Sequence, residues 1–472
     1  MTTLPLVRRI LLQRPLADVF AYLRDFSTIA QWDPGVFDAT KITPGPADAG
    51  SQFALTLNVL GRAVPMQYTL IRCESPDAGG VATLVLDGRG EGFSALDTLR
   101  LSADGEGSTW LDYRADLQLG DVPGWLLPGL RAWGRRLADQ AMTGLQRALC
   151  EDGPESVSVL GRVSERLVLP GMLNYTRRGY RQQHSRGLSR RLDGRTVGIT
   201  GITSGLGQAA ALELARLGAT LVLVGRDRTR LEACVEDLRA RSGSAAAMRV
   251  HEAELSSLAS TRELIERLRR DEPALDVWIN NAGALFNDHA LTAEGHERSL
   301  AVNFLSPALL SQALAPALAA RRGRLIQVVS GGLYTQPVRL DDINYTTEPY
   351  NGPKAYARAK RALLDLTQRL AADPALAGLG CHVMHPGWAA TPGVASALPG
   401  FNQRLGERLR TPRMGADTMV WLASHPALDD PALSGRFWFD RAPRPTALLP
   451  GTASNAATVD ALLARVANLS AA

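Results

Sequence analysis

Cysteine is scarce in this chain: Cys73, Cys150, Cys234 and Cys381 are the only four in 472 residues, and no two stand in a CxxC pair. Neither a disulfide scaffold nor a structural zinc site is expected, and a reducing, cytoplasmic compartment is. Lysine is scarcer still, with Lys41, Lys354 and Lys360 alone among 52 basic residues. Such a bias writes arginine wherever any cation will serve. A surviving lysine therefore marks a position that needs a compact ammonium. The first twenty residues lack a continuous apolar run, being broken by Arg8, Arg9 and Arg14, so no secretory signal is expected. The uncharged run Leu300 to Ala320 is long enough to span a bilayer, yet Asn303, Ser306, Pro307, Gln312 and Pro316 within it favour a buried helix.

What is present describes a soluble protein of more than one core. Hydrophobic residues make up 45% and charged residues 21%, as in ordinary globular chains, and 472 residues exceed a single hydrophobic core. Residues 1–150 read as β-rich with helical ends. A strand ends near Gln13, a short helix covers Pro15 to Leu23, and extended runs follow at Ser51 to Leu60, Val64 to Arg72, Val81 to Asp87 and Ser108 to Leu119. A long amphipathic helix from about Trp125 to Cys150 closes the segment. Residues 151–190 form a basic linker. From 191 to 472 short apolar strands (Thr196 to Thr200, Thr220 to Val224, Val277 to Ile279, Arg324 to Val329, Cys381 to Met384) alternate with helices such as Gln208 to Leu217 and Ser260 to Arg269. That alternation predicts a doubly wound parallel α/β sheet.

The first of those strands runs into Thr200-Gly201-Ile202-Thr203-Ser204-Gly205-Leu206-Gly207 and then a helix. Glycines at 201, 205 and 207 allow a tight turn and close approach of a pyrophosphate to a helix N-terminus. About twenty residues on, where ribose selectivity is decided, stands Arg226, whose guanidinium matches a 2′-phosphate. NADP is therefore expected, with NAD as the alternative. Asp227 beside it is free either to pair with Arg226 or to point away. Tyr356 and Lys360 lie four residues apart on one helix face, so the ammonium and the oxidised nicotinamide cation are expected to favour phenolate and bring Tyr356 into range as a proton donor and acceptor. Ser330 ends a strand at the carboxyl edge where open sheets bind ligands; its other reading is a turn former before Gly331-Gly332.

These residues resemble the short-chain dehydrogenase/reductase family over about 190–450. Thr200 to Gly207 is similar to its TGxxxGxG loop, and Asn280-Asn281-Ala282-Gly283 to its NNAG. The resemblance implies that Asn303, Ser330, Tyr356 and Lys360 form a catalytic tetrad. In it Tyr356 exchanges a proton with the substrate oxygen, Ser330 polarises that oxygen, Lys360 lowers the phenol pKa and holds the ribose, and Asn303 orders a water relay. It further implies that Pro386, Gly387 and Thr391 grip the nicotinamide carboxamide. Glu254-Leu255 stands where the family has Asp-Leu facing adenine, so cofactor contacts are expected from Thr203, Ser204, Leu206, Asn281, Ala282, Gly283, Glu254 and Leu255 as well as the glycines. His385 to Trp388, Thr391 to Val394, Gly415 to Thr418 and Ser434 to Phe437 resemble the branch known as dehydrogenase/reductase member twelve. The 26-residue separation of Ser330 and Tyr356 is similar to that of retinol-dehydrogenase-like members.

Pro15 to Leu23 followed by Ala30 to Val36 resembles the opening of the polyketide-cyclase/START-like superfamily over 1–150. This implies an α+β helix-grip domain that binds a hydrophobic ligand, with Trp32 a packing or cavity-wall residue. No His/Asp/Glu cluster in this segment argues for catalysis, and none argues for a metal. The expected function is transfer of hydride between a nicotinamide and a carbonyl or alcohol of a hydrophobic substrate. The rival is a cofactor-binding lipid sensor or carrier with little turnover. The arginine-rich linker is read as a solvated run; peripheral membrane contact through Leu167, Val168, Leu169 and Met172 is the weaker reading, because Pro170 and Gly171 interrupt any helix. Nucleic acid is not expected, since no recognition module accompanies the basic run. A homodimer is compatible with the family.

Overall fold

The computed structural model describes residues 2–59, 62–105, 107–120, 127–150, 174–182 and 191–471. They fall into two compact units, one built on 2–150 and one that takes in 174–180 together with most of 191–471.

The first unit runs β1 (Thr2–Leu12), α1 (Leu16–Arg24), a 3-10 turn (Phe26–Thr28), α2 (Ile29–Trp32), β2 (Val36–Lys41), β3 (Gln52–Val59), β4 (Arg62–Glu74), β5 (Val81–Gly90), β6 (Phe93–Ala103), β7 (Thr109–Leu119) and α3 (Leu127–Cys150). The strands form a seven-stranded sheet in the order β1-β7-β6-β5-β4-β3-β2, with every neighbouring pair antiparallel. Strict alternation in β5 sends Ala82, Leu84 and Leu86 inward, where they share a core with Ala141, Met142, Leu145 and Leu149 of α3. Trp32 is 2% exposed in this core, as its packing role requires. The sequence reading omitted β2 and β6. In β6 the period is inverted in character: Asp97 takes an inward slot and is 2% exposed, while the neighbouring Leu96 is 39% exposed.

Asp97 is therefore a carboxyl group in an apolar core. The Tyr113 phenol donates to its Oδ1 at 2.7 Å, and Tyr68 bonds it as well. Burial pushes the Asp97 carboxyl up to about 6 and the Asp33 carboxyl up to about 7. A pair of carboxyls with two phenols thus gathers where no acidic cluster was expected.

The second unit runs α4 (Arg177–Gln182), β8 (Thr196–Thr200), α5 (Gly205–Arg216), β9 (Thr220–Gly225), α6 (Arg228–Ser242), β10 (Met248–Glu252), α7 (Leu258–Asp271), β11 (Leu275–Asn280), α8 (Arg298–Ala320), β12 (Arg324–Val328), α9 (Gly352–Ala371), β13 (Gly380–Met384), α10 (Pro392–Ala397), α11 (Pro399–Leu405), α12 (Pro412–Ser424), β14 (Phe437–Phe439), β15 (Ala442–Arg444) and α13 (Ala456–Ala471). The eight-stranded sheet has the order β10-β9-β8-β11-β12-β13-β14-β15 and is parallel up to the final hairpin strand. Two apolar layers, one around Leu264, Phe304 and Leu363 and one around Leu214, Leu231 and Trp421, provide its hydrophobic packing. The strand order reverses between β8 and β11, and ligands of such sheets bind at the carboxyl ends of the strands beside that switch. Helix α8 is long and apolar enough to cross a membrane by length and composition, yet 78% of its most apolar stretch is buried in the unit, which fits the core-helix expectation.

Of the linker expectation for 151–190, residues 174–182 are described, and 174–180 pack within the second unit. Leu167, Val168, Leu169 and Met172, the basis of the membrane-contact reading, lie outside the described residues.

A raised carboxyl pKa binds a proton more tightly in the folded than in the unfolded state. The stability it contributes is full below the unfolded value near ~3.9 and is lost as pH rises through the folded value. Asp97→Asn removes that loss and is expected to stabilise the first unit at pH 8 by on the order of 1–3 kcal/mol, with little gain at pH 4. Thermal unfolding of the two proteins at both pH values checks this; an equal shift at each would contradict it.

Candidate active site

The glycine-rich loop leaves β8 and enters α5. Gly201 adopts φ +74°, and a Cβ there would stand 2.9 Å from the Ala282 Cα, so only glycine lets this turn close against β11. The Asn281 side chain braces the same turn, donating to the carbonyls of Thr200 at 2.9 Å and Gly201 at 3.1 Å. The Thr200 hydroxyl accepts from the Ala282 N–H at 2.9 Å. Ser204 is the N-cap of α5 but makes no side-chain cap bond, which leaves first-turn N–H groups available for an anion. Thr203 and Ser204 are exposed, and Leu206 packs at the base of the loop, where a Cβ on Gly415 would meet its Cδ2. Nearest to the Gly205 Cα face is the Thr391 side chain, 3.2 Å from where a Cβ would stand. The phosphate loop and the 386–391 loop thus adjoin.

At the adenosine end, Arg226 and Glu254 line one open groove with Arg228, His251 and Arg267. Asp227 turns away from Arg226: its carboxylate accepts from the Arg230 backbone N–H at 3.0 Å and pairs with the Arg230 guanidinium at 3.5 Å. Arg226 itself makes no ion pair or hydrogen bond among the described residues. Leu255 departs from its predicted cofactor contact. Its side chain is 8% exposed in the core and its carbonyl accepts from the Ser306 hydroxyl at 2.8 Å, so of this pair only Glu254 faces the groove.

The four tetrad residues converge at the carboxyl edge of β11 and β12. Lys360, 1% exposed, donates from Nζ to the Val328 carbonyl at 3.0 Å and lies 5.6 Å from the Tyr356 ring centroid. A Cβ on Gly283 would stand 2.8 Å from Asn303 Oδ1 and 3.1 Å from Lys360 Nζ, so the missing side chain makes room for both. Asn303 sits in a π-helical turn, Ala301–Leu305, a distortion that often marks functional sites. Its amide donates to the carbonyls of Ala284 at 2.8 Å and Ser299 at 2.9 Å and accepts from the Ala284 N–H at 3.1 Å. The Asn303 side chain is thus a brace. Ser330 heads the 3-10 turn Gly331–Thr335 and accepts from the Gly332 N–H at 3.3 Å, which bears out its turn-forming reading without removing its hydroxyl from the site. Helix α9 approaches that turn closely, the Ala357 Cβ standing 3.7 Å from a Cβ position on Gly332.

Burial sets the protonation states. It pushes the Tyr356 phenol up to about 12 and the Lys360 amine down to about 7. The ammonium and the oxidised nicotinamide cation were together expected to acidify the phenol; among this chain's own groups the opposing effect of desolvation is the larger. Tyr356 is thereby held in its protonated form.

Gly387 takes φ +73° and its N–H donates to His385 Nδ1 at 3.2 Å, while Thr391 caps α10 by accepting from the Val394 N–H at 3.2 Å. Pro386 offers its carbonyl toward Arg410 at 3.4 Å. Sequence reasoning missed Arg410 and Tyr175, which hold this loop from outside the recognised motifs. Neither carries a local signal, because they meet each other across more than 200 positions of the chain. Among the described residues no group of three His, Cys, Asp or Glu side chains could hold a metal.

Comparison with known proteins agrees with the geometry. The profile described as short chain dehydrogenase matches residues 195–400, and the one described as polyketide cyclase / dehydrase and lipid transport matches 6–149. The chain is 39% identical over 300 residues to the Bos taurus protein "Dehydrogenase/reductase SDR family member 12", spanning 62% of this chain and 93% of the relative. The Homo sapiens protein of that name is 39% identical over 292 residues (60% and 90%). Retinol dehydrogenase 14 of Mus musculus is 35% identical over 267 residues (53% and 78%). With its phosphate loop, its π-turned Asn303 and its Tyr356–Lys360 pair in place, the chain belongs to the short-chain dehydrogenase/reductase family of oxidoreductases and carries a polyketide-cyclase-like domain ahead of it.

Proposed function

We propose that the chain is an NADP-dependent oxidoreductase that interconverts a carbonyl and an alcohol on a hydrophobic substrate, with reduction the favoured direction. The observation that carries this is the gathering of Ser330, Tyr356, Lys360 and Asn303 at one edge of the sheet beside an uncapped helix N-terminus. The residues fit a dinucleotide: the turn at Gly201 leaves no room for a side chain, the first turn of α5 lacks a side-chain cap, and Arg226, in the groove proposed for the ribose end, has no ion pair among the described residues. A bound nicotinamide supplies or accepts the hydride. Tyr356 then gives its phenolic proton to the substrate oxygen, and Ser330 donates a hydrogen bond to the same oxygen as negative charge develops there. Lys360 is held by the Val328 carbonyl within reach of the ribose side of the site.

The match of residues 6–149 to the profile described as polyketide cyclase / dehydrase and lipid transport supports binding of a hydrophobic ligand by the first unit. That ligand is proposed to be the substrate of the second unit or a related lipid. The four cysteines, none of them in a disulfide, support a reducing, cytoplasmic setting. Copurified lipid, sought by mass spectrometry of the native protein, tests the ligand reading.

Three outcomes test the reaction. Tyr356→Phe should lower kcat by roughly 1,000-fold or more while NADPH titration stays within about threefold of the parent, since the phenol is the proton donor and not a phosphate contact. A variant that keeps most of its kcat would refute the role given to Tyr356, whereas a parent protein without turnover would favour the carrier reading. Arg226→Glu should weaken NADPH by roughly 10- to 100-fold and leave NADH nearly unchanged, the loss of one charge-assisted contact; equal effects on both cofactors would count against NADP preference. For pH, alcohol oxidation needs the phenolate whereas carbonyl reduction needs the phenol, and burial favours the phenol. Initial rates between pH 7 and 9 should climb for oxidation and not for reduction; a flat oxidative profile would contradict the raised phenol pKa.

A further inference from the structure

Residues Asn174–Tyr180 precede the region that matches the short-chain dehydrogenase profile, which begins at 195. They are nevertheless tied into the second unit by backbone contacts. Arg410, 1% exposed, donates from Nη2 to the Asn174 carbonyl at 2.7 Å and from Nε to the Tyr175 carbonyl at 3.0 Å. Its Nη1 and Nη2 also engage both carboxylate oxygens of buried Asp440, at 2.5 and 2.8 Å. Asp440 holds φ +52°, a conformation a side-chain-bearing residue keeps only where its surroundings over-determine it. Arg177 Nε donates to the Leu409 carbonyl at 3.0 Å. The Trp388 N–H donates to the Tyr175 carbonyl at 2.8 Å. That last bond joins the segment to the residue after Gly387, so the strap and the 386–391 loop share one backbone anchor.

The Tyr175 ring fills the space between that loop and the catalytic turn. On one side it meets His385 at 4.8 Å, Trp388 at 5.6 Å and Phe439 at 5.2 Å between centroids, each edge-on. On the other, its Cε2 and Oη stand 3.0 and 3.5 Å from where a Cβ on Gly331 would be, directly after Ser330. We propose that Tyr175 is a positioning residue, a spacer that fixes the distance between Ser330 and the Gly387–Thr391 loop, and that Asn174–Tyr180 is a working part of the oxidoreductase unit. The inference rests on the proposed reaction, since it assigns Ser330 to the substrate oxygen and the 386–391 loop to the nicotinamide. The physical ground is that the strap docks through the Asn174 and Tyr175 carbonyls and the Arg177 guanidinium, none of which needs the Tyr175 ring, whereas the spacing depends on that ring.

That division makes the test selective. Tyr175→Ala keeps the docking carbonyls and removes the ring, so the full-length protein should stay folded while kcat for NADPH-dependent carbonyl reduction falls roughly 10- to 100-fold, the scale of a misplacement near ~1 Å. The substrate KM should change much less than kcat, and Tyr175→Phe should recover most of the loss, a rescue that a general destabilisation would not show. Unchanged kcat in Tyr175→Ala, or a Phe variant as impaired as the Ala variant, overturns the proposal. Should the Ala variant not fold, Tyr175→Leu decides: parent-level kcat overturns the spacer role, and a reduced kcat that Phe restores supports it. If the parent protein turns over no carbonyl at all, the proposed reaction fails by itself. NADPH titration, followed by cofactor fluorescence, then judges the spacer alone: weaker binding in Tyr175→Ala than in Tyr175→Phe supports it, and equal binding overturns it.

Discussion

An amine buried at the carboxyl edge of a parallel sheet constrains the site of the second unit. Lys360 is 1% exposed and burial accounts for its lowered pKa, with no carboxylate paired to it among the described residues. Burying an ionisable group without a counter-charge is unfavourable, and such positions persist where the chemistry requires them. The surrounding features follow from accommodating it. Val328 gives up a carbonyl to Nζ, Gly283 does without a side chain, and Asn303 is turned by a π-helical distortion and locked by Ala284 and Ser299.

The first unit shows the same trade in the opposite sign. Asp97 occupies a slot on β6 that the pleat aims into the core, and the Tyr113 phenol satisfies part of its hydrogen-bonding capacity. A carboxyl buried in this way is held closer to neutral, just as the buried amine is. Asp97 and Lys360 each depart from the binary pattern, and each has a hydrogen-bond partner beside it.

Much of the fold was legible because periodicity and glycine punctuation are local. The five strands expected between 191 and 472 all appear, β8 with the same bounds and the others within two residues at either end. The short β14 escaped notice because three residues give no period to read. Strand β6 escaped because Asp97 and Leu96 reverse the alternation that defines a half-buried strand. The rarity of lysine proved a physical signal at two of three positions. Lys360 is buried, and Lys41, 5% exposed, donates to the carbonyls of Thr43 and Gly45, work suited to a compact ammonium; Lys354 is a half-exposed partner of Glu348.

The sequence by itself determined the strand-loop-helix frame, the identity of the glycines and the i, i+4 placement of Tyr356 and Lys360, because each depends only on neighbours along the chain. Tertiary structure alone decided the protonation balance, since desolvation is a property of what surrounds a group and not of its spacing. It also decided that Leu255 belongs to the core, that Asp227 serves Arg230 rather than Arg226, and that Tyr175 stands between the catalytic turn and the 386–391 loop. Those outcomes turn on how the chain packs in space, and no pattern of nearest neighbours encodes them.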